Sequence, residues 1–426
     1  MSWHNDYKNK CVKAEEAVQC IKSNQRVVIG HACGEPQDIV EAMVNRAAEL
    51  SNVEIVHMVA MGPGKYTKPE MEGHFRHNAL FVGGCTRRAI AEGRADYTPR
   101  FFYEIPALFK SKSLAVDIAM IQVSSPDKHG YCSYGVSVDY TKAAAENAEI
   151  VIAEINSKMP RTYGSYIHVS DIDYIVETSN NIIELPRPEI SHVEKKIGEN
   201  VAKLIEDGST LQLGIGAIPD AVLKFLTNKK DLGIHSEMIS DGVVELVNRG
   251  VINNSRKTVH AGEMVVTFLM GTRELYGFVD NNPMLKMLPV DYVNNPTIIG
   301  QNDKMISINS AVEVDLMGQV AAESINGNQI SGVGGQVDFV RGAAFSNGGK
   351  SVIALPSTAA DGKISRIVSK LKAGTPVTTS RNDIDYVITE YGIAKLKGKT
   401  LSQRAKLLTS ISHPKFREKL SKEFLS

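Results

Sequence analysis

The sequence predicts an α/β protein made of two tandem, duplicated open domains whose sheets are mostly parallel. Two observations carry this prediction. Short apolar runs rich in β-forming residues alternate with helical stretches, and the two halves of the chain repeat one another. The predicted strands include residues 53–59, 118–123, 150–153 and 351–355, and the predicted helices include residues 38–50 and 194–205.

The duplication consists of four signatures that occur in the same order in both halves. The first is a strand followed by glycines, a proline, an acidic residue and a helix, with Pro36 in one copy and Pro219 in the other. The remaining signatures pair Asp139 with Asp338, residues 151–153 with 352–354, and residues 171–176 with 383–388. The separation grows steadily from 183 to 212 residues, as small loop insertions would make it. Four matches in order indicate duplicated domains.

The boundary between the copies is expected at residues 184–189, where Pro186 and Pro188 interrupt the pattern. We therefore expect an N-terminal domain at residues 1–185 and a C-terminal domain at residues 186–426. The basic segment beyond Thr400 is predicted to be helical. A length of 426 residues agrees with more than one domain.

Composition and charge exclude several classes of function. Lys+Arg and Asp+Glu both number 48, so no broad basic field attracts nucleic acid or an acidic membrane. No apolar run reaches the ~18 residues of a membrane span, and the N-terminus lacks a signal-peptide pattern. The five cysteines form no C-x-x-C pair, which indicates reduced thiols and neither a disulfide framework nor a zinc site. We expect a cytoplasmic protein.

Glu237 is the residue at which the sequence predicts chemistry. It is expected to end an apolar strand, shortly after the glycine loop at residues 214–219 and the helix that follows this loop. A carboxylate at the carboxyl end of a strand beside such a loop can attack an electrophile that backbone amides hold. If His57 corresponds to His235, the first half has Val59 where the second has Glu237. The second half is then catalytic, and the first is a wall or lid.

Two glycine clusters and two polar strand residues are candidates for ligand contacts. The loop that contains Gly214 and Gly216 precedes a helix, and a proline suits the first turn of that helix. The free backbone amides of this turn could bind a phosphate or an oxyanion. A tight turn without a ligand explains the same residues equally well. Gln212, on the preceding strand, could reach the same cleft. The cluster at residues 331–336 is either a second ligand loop or a turn. Asn309 could bond a ligand amide or begin a turn.

Three common chemistries do not fit. A near P-loop at residues 392–400 has five residues between its glycines where the motif needs four. His235-Ser236-Glu237 has the H-x-E pattern of zinc deaminases, but no cysteine follows Cys132 to complete the site. No G-x-S-x-G elbow of a serine hydrolase is present. No metal site is predicted.

Taken together, residues 211–219, 235–242, 331–339 and 389–394 resemble the acetyl-CoA hydrolase/transferase family, and the similarity covers nearly the whole chain. The resemblance implies two domains of the CoA-transferase type. It also implies transfer of coenzyme A between a short-chain acyl-CoA of fermentation and a carboxylate, with 4-hydroxybutyrate or butyrate and acetate as expected substrates. The expected mechanism is ping-pong, with a glutamyl-CoA thioester on Glu237.

The resemblance further implies a homodimer that has no permanently bound cofactor and takes coenzyme A as a substrate. The residues that fall where the family contacts coenzyme A are Gln212, Leu213, Gly214, Ile215, Gly216, Asn309, Gly332 and Gly335. One departure from the family pattern is at residues 124–127, where Ser125 precedes Pro126 and many relatives carry two prolines; it leaves the substrate preference open.

Three alternatives remain at this level. An acetyl-CoA hydrolase would use the same Glu237 but admit water. A sugar-phosphate isomerase or a small-ligand sensor could share such α/β domains by analogy of fold. A purely structural protein would leave the acid beside two glycine loops unexplained.

Overall fold

The structure is a computed structural model that describes residues 3–425. It contains two compact units, one formed by Met1–Leu185 with Val266–Tyr292 and the other by Pro186–Val265 with Val293–Ser426. The segment Val266–Tyr292 thus belongs to the first unit, although it lies beyond residue 185. The division into domains 1–185 and 186–426 stays a prediction.

The part of the chain up to residue 185 contains nine strands and six α-helices among its described residues. The strands are β1 (Arg26–Ile29), β2 (Val53–His57), β3 (Phe75–Ala79), β4 (Ala95–Tyr97), β5 (Val116–Ser124), β6 (Tyr131–Ser133), β7 (Ala148–Asn156), β8 (Tyr166–His168) and β9 (Tyr174–Thr178). The helices are α1 (Trp3–Lys10), α2 (Ala14–Ala17), α3 (Gln37–Asn45), α4 (Arg87–Ala91), α5 (Ile105–Lys110) and α6 (Thr141–Asn147).

The remainder of the described chain continues the alternation. Its strands are β10 (Thr210–Leu213), β11 (Gly233–Ile234), β12 (Met238–Ile239), β13 (Met264–Val266), β14 (Phe268–Leu269), β15 (Leu285–Met287), β16 (Met305–Ser310), β17 (Glu313–Asp315), β18 (Val320–Ala321), β19 (Ser324–Ile325), β20 (Asn328–Gln329), β21 (Lys350–Ala354), β22 (Thr358–Ala359), β23 (Ile364–Ser365), β24 (Ile367–Val368), β25 (Tyr386–Thr389) and β26 (Gly392–Lys395). Its helices are α7 (His192–Ala202), α8 (Ala217–Lys224), α9 (Asp241–Asn248), α10 (Arg273–Val279), α11 (Val290–Val293), α12 (Pro296–Ile299), α13 (Gln336–Phe345), α14 (Leu401–Ile411) and α15 (Pro414–Leu425).

The main sheet of the first unit has the strand order β4-β3-β2-β1-β5-β7-β9, and every neighbouring pair is parallel. The long strands β5 and β7 are apolar and buried over most of their length. Such continuous burial is typical of parallel strands that are covered on both faces.

The second unit repeats this arrangement. Its parallel strands follow the order β11-β10-β16-β21-β25, which matches β2-β1-β5-β7-β9 strand for strand. Two antiparallel pairs complete this part of the sheet, β12 on β10 and β26 on β25. The predicted fold class, two duplicated and mostly parallel α/β sheets, is confirmed.

The predicted elements are present, with shifted boundaries. The helix predicted at residues 38–50 is α3, which ends at Asn45 and is followed by a 3-10 turn at Ala47–Glu49. The helix predicted at residues 194–205 is α7, which begins two residues earlier. Ser191 is its N-cap and forms a capping box with Glu194 in the first turn. The predicted helical tail is α14 and α15.

The second unit buries α13 against β16 and β21. Its apolar core includes Val340 from α13, Ile353 from β21 and Leu408 from α14, all with no exposed surface. Full burial of such a side chain stabilises the fold by roughly 1.5–3 kcal/mol. The carboxyl ends of β10 and β16 and the start of α13 are thereby held at one edge of the sheet.

Candidate active site

Glu237 lies between two short strands that flank the end of β10. The strand predicted to end at the glutamate stops at Ile234, and this boundary was wrong by three residues. The chain stays tied to β10 beyond that point, because Ser236 Oγ exchanges hydrogen bonds with the backbone N–H (3.2 Å) and carbonyl (3.1 Å) of Leu213. Met238 then pairs antiparallel with Leu213. The reversal from parallel to antiparallel pairing places the half-buried Glu237 at the carboxyl end of the sheet.

The glycine loop of residues 214–216 connects β10 to α8. Gly216 caps α8 with φ 109° and ψ −177°, a conformation that side chains rarely adopt, and Pro219 lies in the first helical turn. Ile215 is 46% exposed, and a Cβ added at Gly214 would meet no atom within 4 Å. The loop is therefore open to a ligand, in front of a helix N-terminus whose first amides lack intrahelical acceptors.

The Glu237 carboxylate has a buried amide beside it. Asn294 Nδ2 donates to Glu237 Oε2 at 2.8 Å, and Asn294 has no exposed surface. Sequence reasoning missed Asn294, since in the run Asn294-Asn295-Pro296 an asparagine reads as a turn residue. It lies 57 positions along the chain from Glu237, and no local pattern connects the two.

Gly335 lies against the same carboxylate. A Cβ on Gly335 would be 1.8 Å from Glu237 Oε2 and 2.5 Å from Asn294 Nδ2, so any side chain there would displace the Glu237 carboxylate. Gly335 is the N-cap of α13, and Gly332 is buried in the loop that precedes it. The second glycine cluster thus brings its last glycine to Glu237.

Gln212 and Asn309 interact across β10 and β16. Gln212 Oε1 accepts from Ser307 Oγ (2.9 Å), Ile308 N (3.1 Å) and Asn309 Nδ2 (3.1 Å). Gln212 Nε2 donates to the carbonyl of Ile308 (3.3 Å) and to Asn309 Oδ1 (3.4 Å). Gln212 is 3% exposed and both ends of its amide are occupied, whereas Asn309 is partly exposed. Asn309 lies within β16 and does not begin a turn.

His235, two positions before Glu237, has a structural role. His235 is fully buried, and its Nε2–H donates to the carbonyl of Val293 at 2.8 Å. Burial lowers the pKa of His235 to about 3, and the nearby Lys257 charge acts in the same direction. Burial likewise lowers the pKa of Lys257 to about 7. His235 is therefore neutral near pH 7 and holds the backbone that carries Glu237.

The first unit has a buried histidine at the matching place. His57 ends β2, the counterpart of β11, and its Nε2 lies 3.1 Å from the carbonyl of Gly30. Burial lowers its pKa well below the ordinary value. This supports the correspondence of His57 with His235, which places Val59 where the second unit has Glu237.

Residues 3–425 contain no group of three His, Cys, Asp or Glu side chains that could hold a metal ion. Within the same described range, no helix combines the length and apolar character that a bilayer crossing requires.

Two family models cover most of the chain. The acetyl-CoA hydrolase/transferase N-terminal domain matches residues 1–185, and the C-terminal domain of the same family matches residues 271–424. The chain belongs to the acetyl-CoA hydrolase/transferase family. The predicted family and the prediction that the chain is an enzyme are confirmed.

Named relatives align over the full chain. The 4-hydroxybutyrate coenzyme A transferase of Clostridium kluyveri is 66% identical over 425 residues, which covers 100% of this chain and 99% of the relative. The butyryl-CoA:acetate CoA-transferase of Anaerostipes caccae is 39% identical over 434 residues, covering 99% of this chain and 97% of the relative.

Solved structures agree with the fold. The 4-hydroxybutyrate CoA-transferase of Porphyromonas gingivalis has a TM-score of 0.87 at 44% identity, covering 100% of this chain and 99% of that chain. RipA from Yersinia pestis has a TM-score of 0.95 at 37% identity, covering 99% and 98%.

The structure gathers the predicted site residues into two groups. Glu237 and Gly335 meet at Asn294, and Gln212 meets Asn309 on neighbouring strands. Leu213 anchors the segment before Glu237 through its backbone. Contacts of these residues and of Gly332 with coenzyme A stay predictions.

Proposed function

We propose that this protein transfers coenzyme A between a short-chain acyl-CoA and a carboxylate, with Glu237 carrying coenzyme A as a glutamyl thioester between two half-reactions. The observation that supports this most directly is the half-buried Glu237 carboxylate, which accepts an N–H from Asn294 and faces Gly335 with no side chain between them. A nucleophile needs such a fixed orientation. The Asn294 N–H can also stabilise the negative charge that develops on the Glu237 carbonyl oxygen when that carbonyl is attacked.

The first half-reaction has two steps. The Glu237 carboxylate attacks the thioester carbonyl, a C–O bond forms, and the C–S bond breaks to give an acyl-glutamyl anhydride and the thiolate of coenzyme A. The thiolate attacks the glutamyl carbonyl of the anhydride, and the C–O bond to that carbonyl breaks. The products are the glutamyl-CoA thioester and the free carboxylate of the donor acid, so one negative charge is conserved throughout.

The second half-reaction reverses these steps with another acid. The incoming carboxylate attacks the glutamyl thioester and releases thiolate, which then attacks the acyl carbonyl of the new anhydride. A new acyl-CoA leaves and Glu237 is again ionised. Neither half consumes water or needs a permanently bound cofactor, and coenzyme A acts as a substrate.

The proposed substrates are 4-hydroxybutyrate or butyrate with acetate as partner acid. The name of the C. kluyveri relative at 66% identity supports 4-hydroxybutyrate, and the name of the A. caccae relative supports butyrate and acetate. We further propose a cytoplasmic homodimer, whose state light scattering on the purified protein would test.

The central experiment is to incubate the protein with acyl-CoA, without an acceptor acid, and to examine its peptides by mass spectrometry. The peptide that contains Glu237 should gain the mass of coenzyme A less one water, and borohydride should then inactivate the enzyme. Glu237→Ala should abolish both effects. Glu245→Ala, at an exposed glutamate of the following helix, should keep them. Full activity of Glu237→Ala would overturn the mechanism.

An acetyl-CoA hydrolase remains the second candidate, because the acetyl-CoA hydrolase of Yarrowia lipolytica is 25% identical over 82% of this chain. Release of free coenzyme A at the same rate with and without acceptor carboxylate would favour hydrolysis. Formation of the acceptor's own acyl-CoA without release of free coenzyme A would favour transfer. A sugar-phosphate isomerase or a sensor would form no adduct at Glu237.

A further inference from the structure

Asn294 lies between two carboxylates of the second unit. Its Nδ2 donates to Glu237 Oε2 at 2.8 Å and to Asp338 Oδ2 at 3.4 Å. Asn294 has no exposed surface, and Asp338 is 1% exposed. A side-chain amide nitrogen carries two hydrogens, so both contacts can form at once.

We propose that Asp338 is a positioning residue that keeps the amide of Asn294 turned toward Glu237 throughout the reaction. The inference rests on the proposed function and deepens it. An ionised carboxylate only accepts hydrogen bonds, so two carboxylates around one carboxamide force its NH₂ end toward both.

The other end of Asn294 shows that this orientation has a cost. Its Oδ1 is buried and has no hydrogen-bond partner within the described residues. A buried acceptor left unpaired is costly, and this cost would favour a flipped amide if a single neutral acceptor faced it. The two carboxylates offset that cost, because hydrogen bonds to charged acceptors are the stronger ones.

The charge of Glu237 is present in only part of the proposed cycle. As an anhydride or a thioester, Glu237 offers a neutral carbonyl oxygen, which holds Asn294 less firmly than the carboxylate does. At those stages the N–H must stay in place, because attack on the glutamyl carbonyl puts negative charge on that oxygen. The Asp338 side chain forms no covalent bond in any step, so it can retain the donor for the oxyanion.

The location of Asp338 favours its charge. It lies in the first turn of α13, where the partial positive charge of the helix N-terminus stabilises an anion. The same helix start supplies Gly335, which leaves the space that Glu237 occupies. One helix terminus therefore provides both the room for the nucleophile and the anchor of its amide partner.

The duplicated copy has the aspartate without this arrangement. Asp139, the counterpart of Asp338, accepts from Ser137 Oγ at 2.6 Å and from the backbone N–H of Tyr140 at 2.7 Å, and it lies 3.1 Å from His31 Nδ1. That copy has Val59 in place of Glu237. In the second unit, which has Glu237, this aspartate contacts an asparagine instead. This difference is expected if Asp338 positions Asn294 for Glu237.

The test compares Asp338→Asn with a control at another buried aspartate of the same unit. Asp315 accepts from the backbone N–H groups of Met317 and Gln319 at 3.0 and 2.9 Å, so Asp315→Asn removes a buried charge from a local turn. For Asp338→Asn we expect kcat and the rate of CoA-adduct formation to fall about 10- to 100-fold, with the KM for acyl-CoA within about threefold of wild type. Asp315→Asn should keep both rates. Asp338→Ser serves in the same way if Asp338→Asn does not fold.

A double variant separates positioning from a general structural role. If Asp338 acts through Asn294, Asp338→Asn should add little to the loss caused by Asn294→Ala. Fully additive losses in the double variant would overturn this inference alone. So would an Asp338→Asn variant that forms the CoA adduct at the wild-type rate. A wild-type protein that forms no adduct would overturn the proposed function and this inference together.

Discussion

Asn294 and Glu237 are joined by a hydrogen bond of 2.8 Å between the carboxamide Nδ2 and the carboxylate Oε2. The bond links a buried donor to the half-buried side chain on which the proposed chemistry takes place. A donor fixed in this way needs no reorganisation when charge develops on the carbonyl oxygen of Glu237. The contact therefore defines what the site can stabilise.

Replacing Asn294 by alanine should lower kcat by about 100-fold, the usual effect of removing one oxyanion donor. The KM for acyl-CoA should change little, because the lost interaction is strongest in the transition state. Asn295→Ala is the matched control, since Asn295 caps the short helix α12 by accepting from Thr297 N. The control should lose about 1 kcal/mol of stability at most and keep its kcat. Steady-state kinetics and thermal unfolding distinguish the two variants.

Replacing Gly335 by alanine should inactivate the enzyme while leaving it folded. The added Cβ would be 1.8 Å from Glu237 Oε2, so the carboxylate must move away from Asn294. We expect a loss of at least about 100-fold in kcat/KM, since small misplacements of a reacting group are that costly. Gly277→Ala, on α10 in open space, should keep activity and gain up to about 1 kcal/mol of stability. A fully active Gly335→Ala would contradict the described geometry.

Gln212 should act through Asn309. The two amides exchange hydrogen bonds of 3.1 and 3.4 Å, and Gln212 is nearly inaccessible. Gln212→Leu and Asn309→Ala should each raise the KM for acyl-CoA, and the double variant should be little worse than either. The expected coupling in a double-mutant cycle is about 0.5–3 kcal/mol. Additive effects would indicate independent contacts with the substrate.

Lys257 should make stability rise with pH above neutrality. Burial lowers the pKa of Lys257 from 10.5 to about 7 in the folded protein, so between these values the unfolded chain binds the extra proton. The stability that Lys257 contributes is present above pH 10.5 and is lost as the pH falls to about 7. The slope is at most about 1.4 kcal/mol per pH unit. Lys257→Met should remove this slope, and urea unfolding of both proteins from pH 7 to 10 measures the difference.

Glu154, in the first unit, should make stability fall as the pH rises, opposite to the effect of Lys257. Its Oε2 accepts from the backbone N–H of Asp38 at 2.9 Å, and burial, with the charge of Asp38, raises its pKa from 4.5 to about 8. The folded protein therefore holds the extra proton between these values, and stability is lost as the pH rises through 8. Glu154→Gln should be more stable than wild type at pH 8.5 and close to it at pH 4.5. Parallel pH curves for the two proteins would refute this assignment.

Local sequence patterns were sufficient for the fold class. Apolar periodicity located β5, β7 and β21, since a buried parallel strand needs a continuous apolar run wherever it lies. The repeated order of signatures predicted duplicated domains, and the two sheets repeat one order of parallel strands. Glu237 was proposed as the nucleophile from its place near a strand end and a glycine loop, and that role stays a prediction.

The strand boundary at Glu237 and the partners of its carboxylate were decided only by the tertiary structure. β11 stops at Ile234 because Ser236 and Met238 take their hydrogen bonds from Leu213 on β10, a competition that the segment itself does not reveal. Asn294 comes from 57 residues away, in the turn between α11 and α12, and Asp338 from a further 44, on α13. An asparagine in a turn and an aspartate near a helix start are common in any sequence. The turn between α11 and α12 brings the Asn294 amide to Glu237 Oε2, and the start of α13 brings Gly335 to the same oxygen and Asp338 to the amide.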